Sequence, residues 1–113
     1  MTKFQLTIYN RFRMGEVIVA EAKASIAGCR RWVGILRLPE YDHLRQVRYE
    51  NKWIVLEREI KIGAGIDYDI ADEDILFLKK YYANTEEEIY DILKVIDIEP
   101  CKFTYPWKVD YPM

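Results

Sequence analysis

Apolar and polar side chains alternate from the third residue of the chain: Phe4, Leu6 and Ile8 against Lys3, Gln5 and Thr7. A period of two predicts a half-buried strand over 3–9, followed by a polar, basic turn from Asn10 to Gly15. The next stretch supports two readings. Ile18, Ala20, Ala22 and Ala24 share one side of a strand, while the alanine-rich run from Ala20 to Ala27 favours a helix by propensity. The β-branched Val17, Ile18 and Val19 tilt the choice to a strand over 16–24, with another over 32–38 that Pro39 stops. A hairpin is expected next, with strands over 45–49 and 53–62 around a turn at Glu50, Asn51 and Lys52, and with Ile54, Leu56, Ile60 and Ile62 on one face.

The period then changes. Ile75, Leu78 and Tyr82 fall at i, i+3 and i+7, Asp72 or Asp74 can cap the start, and Lys79 and Lys80 suit a last turn. This predicts a first helix ending at Asn84. Thr85 with Glu88 reads as a capping box for a second helix, whose stripe is Ile89, Ile92, Leu93 and Ile96 and which Pro100 ends. In the tail Cys101, Phe103, Tyr105, Trp107, Val109 and Tyr111 alternate with polar residues, an aromatic strand that Pro106 confines to an edge or a bulge. Together these elements predict a single α+β domain over residues 1–113: an antiparallel sheet of four to five strands with two consecutive helices packed on one face.

Composition narrows the chemistry. A chain of 113 residues that is 50% hydrophobic and 32% charged has room for one packed core and is not disordered. No apolar run approaches the roughly 18 residues of a membrane span, and the opening segment lacks the pattern of a signal peptide. Two cysteines, Cys29 and Cys101, suit a reducing compartment, so a cytoplasmic protein is expected. With His43 and Ser25 the only residues of their kinds, neither a serine triad nor a zinc site can be assembled. Gly63 and Gly65 begin a dinucleotide-loop pattern, but Tyr68 stands where its third glycine belongs, so the segment reads as a turn. A calcium loop started at Asp67 fails at Asp72 and Leu78. No cofactor, no metal and no enzymatic activity are expected.

Charge is divided unevenly. Residues 1–66 carry twelve Lys and Arg against seven Asp and Glu, whereas residues 67–99 carry eleven acids against three lysines. A concentrated acidic surface steers association with a basic one. The expected function is therefore a non-enzymatic protein-binding inhibitor, in the manner of an immunity protein or antitoxin. Its acidic, tyrosine-containing surface would mask a basic cleft of a partner such as a nuclease toxin. Asp67, Asp69, Asp72, Glu73 and Asp74, with Glu86, Glu87 and Asp91, are the expected charge contacts, and Tyr90 is the expected apolar one. Two other readings compete. The charges can simply neutralise one another within the fold. Alternatively, the basic aromatic hairpin over 45–61, with Arg45, Arg48, Tyr49, Lys52 and Trp53, can bind nucleic acid.

Overall fold

The computed structural model describes residues 3–61, 75–109 and 111. Its class is α+β, as expected. Helix α1 (Leu6–Arg13) leads into strands β1 (Ile18–Ala22) and β2 (Cys29–Arg37). A small two-stranded hairpin, β3 (Tyr41–Asp42) and β4 (Val47–Arg48), then interrupts the path to β5 (Trp53–Lys61). Strand β6 (Ile75–Ala83) and helix α2 (Glu86–Val95) follow. The main sheet is antiparallel throughout, in the order β1-β2-β5-β6.

The first expected strand is a helix. Ile8 and Phe12 are buried one helical turn apart, and Phe4 packs beside Phe12 with ring centroids 5.5 Å apart, while Leu6 is 74% exposed. The true apolar period is four, and it emerges only when Phe12 is included. The expected helix before Asn84 is strand β6, paired residue for residue with β5 from Trp53↔Ala83 to Glu59↔Phe77, beyond which the register shifts. A nine-residue edge waiting on β5 outweighs a weak helical stripe, because β6 is itself rich in aromatic residues, with Phe77, Tyr81 and Tyr82. Consequently the two helices stand at opposite ends of the chain rather than in succession.

The expected 45–62 hairpin is also rearranged. β5 pairs with β2, from Cys29↔Lys61 to Arg37↔Trp53, and β4 pairs only with β3. The strands expected over 16–24 and 32–38 correspond to β1 and β2.

Both helices contribute to one core on one side of the sheet. Ile8 and Phe12 of α1, with Ile89 and Leu93 of α2, meet Ile18, Ala20, Val33, Ile35 and Val55. The aromatic tail is not a strand. It forms two short 3-10 turns, Pro100–Lys102 and Pro106–Lys108, each opened by a proline that lacks the N–H a strand ladder would need. Between them Thr104 makes a single antiparallel bridge to Val19 on the outer edge of β1. The tail thus leaves Phe103 in the helix-side core and carries Val109 and Tyr111 round to the opposite face, against Val19, Trp32 and Ile60.

Candidate partner-binding surface

Helix α2 begins as its sequence requires. The Thr85 hydroxyl oxygen accepts the Glu88 N–H at 3.1 Å, and the Glu88 carboxylate accepts the Asn84 N–H at 2.7 Å. Glu88 is therefore committed to the cap. Asn84 accepts the Lys52 N–H at 3.2 Å and joins β6 to α2, instead of ending a helix.

The other acids of α2 divide by what they meet. Glu86 is half-buried beside Tyr9, and the hydrogen bond between them, with burial and the Glu86 charge, raises the Tyr9 pKa against an opposing effect of Arg13. Glu87 and Asp91 are exposed and lie one turn apart on the helix surface. Tyr90 is 8% exposed, its ring sits 5.3 Å from that of Phe4, and burial raises its pKa first, Glu86 second. It is a core residue that reaches the surface only as the wall of a cleft. The five expected acids Asp67, Asp69, Asp72, Glu73 and Asp74 lie outside the described residues.

The end of α2 is built without glycine. The Ile98 N–H donates to Leu93 O at 2.9 Å and the Asp97 N–H to Lys94 O at 3.3 Å, the paired bonds of a Schellman cap, with Asp97 at φ 60°. The segment that follows separates two clefts. One, of about 190 Å³, has walls from Tyr90, Leu93, Ile98 and Pro100. The other, of about 660 Å³, opens between Asp97 and Glu99 on one side and Lys23, Ser25 and Arg31 on the other.

Behind the larger cleft is a group of buried charges. Glu57 and Glu59 alternate with Val55 on the helix side of β5, at 3% and 0% exposure. Arg31 pairs with Glu57, which also accepts the Tyr81 hydroxyl at 3.3 Å. Ser25 donates both its N–H, at 2.8 Å, and its hydroxyl, at 2.5 Å, to Glu59. Their signal was available as a period-two run, Val55-Glu57-Glu59, but charge in place of hydrophobicity hid it. Among the described residues no cluster of three or more His, Cys, Asp or Glu is arranged to hold a metal ion.

The basic half is largely occupied with itself. Arg11 pairs with Glu16, Arg30 with Glu21, Arg45 with Asp42 and Arg48 with Glu40. Arg37 lies over Trp53 and Arg58 over Tyr111. Trp32 is buried and donates its indole N–H to Val109 O at 2.7 Å, while Trp53 stacks on Phe12 at 5.4 Å. These two rings are spent on packing, whereas Trp107 is 65% exposed and stacks on Tyr105 at 4.9 Å, with Arg11 over both rings.

No helix among the described residues is long and apolar enough to cross a membrane. No protein family, no curated protein and no solved structure matches the chain.

Proposed function

We propose that the protein is a non-enzymatic inhibitor that works in the cytoplasm by binding a partner protein and masking its basic cleft, as an immunity protein or antitoxin does to a nuclease toxin. One observation carries this reading. The ion pairs Arg11–Glu16, Arg30–Glu21, Arg31–Glu57, Arg45–Asp42 and Arg48–Glu40 each join two residues of the basic half, which meets part of its charge with its own acids. Glu87 and Asp91 stand exposed on α2 with no such pair among the described residues. Carboxylates left in this way steer a basic partner, and they do so at little cost to the fold. Asp67, Asp69, Asp72, Glu73 and Asp74 precede β6, the neighbour of α2 in the chain, and extend the same charge. Glu57 and Glu59 support the non-enzymatic side of the reading, because each carboxylate is already engaged by Arg31, Tyr81 or Ser25.

The test is capture of partners from the native host with and without nuclease treatment, followed by association kinetics. A stoichiometric protein partner that survives nuclease is expected, and Glu87→Lys with Asp91→Lys should slow its association about tenfold at low salt. Unchanged kinetics in that double variant would overturn the reading. A second reading, nucleic-acid binding, is favoured by Arg45 and Arg48, whose side chains are exposed on the β3–β4 hairpin and whose ion pairs are long, at 3.9 Å. It requires recovery of nucleic acid alone, with steep salt dependence and loss of binding in Arg45→Ala and Arg48→Ala.

A further inference from the structure

The cleft at the end of α2 has a size, a lining and a charge that together specify an occupant. At about 190 Å³ it falls below the roughly 300–1,000 Å³ of small-molecule sites, and it suits one inserted side chain. Its walls, from Tyr90, Leu93, Ile98 and Pro100, are largely apolar. Its rim carries Asp97 and Glu99 against the single cation Lys94, and all three are exposed. A long side chain that is apolar along its stem and positive at its head matches this arrangement.

Asp97 adds a second argument. It occupies the left-handed position of the helix cap, where glycine is the usual residue, and it places a negative charge at the negative end of the helix dipole. The charge at the helix end favours a cation held beside it.

We infer that this cleft receives an arginine side chain of the partner, with its stem between Leu93 and Ile98 and its guanidinium between Asp97 and Glu99. Arginine fits better than lysine because its head is planar, matches carboxylates in pairs and is more weakly hydrated, so less is lost on entering an apolar cleft. The inference deepens the inhibitor reading and rests on it, but it is tested without any partner. Nα-acetyl-arginine amide is titrated into the isotopically labelled protein, and amide shifts are followed by NMR. Nα-acetyl-citrulline amide, of the same shape without the charge, is the control. Saturable shifts confined to residues 90–100 are expected, with the arginine derivative bound about fivefold more tightly. Asp97→Asn with Glu99→Gln should abolish that preference, and because asparagine tolerates the left-handed conformation the rest of the spectrum should be unchanged. Equal binding of the two derivatives would overturn the inference, as would shifts spread equally over Glu16, Glu40 and other surface acids. Localised binding of the probe, together with unchanged partner kinetics in the Glu87→Lys and Asp91→Lys variant, would instead sink the inhibitor reading and leave the cleft standing.

Discussion

Glu57 is nearly inaccessible to water, and its charge is tolerable because Arg31 crosses from the neighbouring strand to meet it. Such a pair adds little net stability, since desolvating two ions offsets most of their attraction, but removing one partner strands the other. Arg31→Met should therefore cost about 3 kcal/mol in urea unfolding, and adding Glu57→Gln should recover part of that loss. A loss well below about 1 kcal/mol in the single variant would mean that Glu57 reaches water after all. The sequence shows the period-two run Val55-Glu57-Glu59 but neither its burial nor its partner. Glu57 and Glu59 belong to the buried face of β5, and only the pairing of β5 with β2 brings Arg31 alongside. Glu87 and Asp91, by contrast, could be placed on an exposed helix face from the pattern alone.

At the scale of elements, α2 was readable because its signals are local and agree with one another. A capping threonine, three acids in the first turn and a stripe of Ile89, Ile92 and Leu93 all describe the same helix. The contribution of the cap can be measured. Thr85→Ala leaves the Glu88 N–H without its acceptor and should cost about 1 kcal/mol, a fall of about 4–8 °C in melting temperature. No fall would show that the first turn is held by other contacts. α1 and β6 were misread for opposite reasons. The alternation of Phe4, Leu6 and Ile8 is too short to distinguish from a helix whose next anchor is Phe12. In β6 the spacing of Ile75, Leu78 and Tyr82 mimics a helical stripe, whereas Leu78 and Tyr82 stand exposed on the face of the sheet away from the helices.

At the scale of the whole molecule the two edges of the sheet are treated differently. Thr104 pairs with the outer side of β1, whereas β6 is the last described strand on the other side. Lysine at an edge discourages pairing with another chain. Lys80 is exposed between Leu78 and Tyr82 on one face of β6 and fits that role. Lys80→Val would join three apolar side chains along the edge, so light scattering should show concentration-dependent association that the parent protein lacks. If Lys80→Val scatters no more than the parent, the edge is protected by something other than this charge.

The sequence by itself determined the α+β class, the position and cap of α2, and the acidic character of 67–99, because each rests on neighbours within a few residues along the chain. The order of the strands, the burial of Glu57 and Glu59, the withdrawal of Tyr90 into the core and the cleft at Asp97 were decided only by tertiary structure. Each of these depends on which distant segment lies opposite, and a period of two or four along one chain carries no record of its partner.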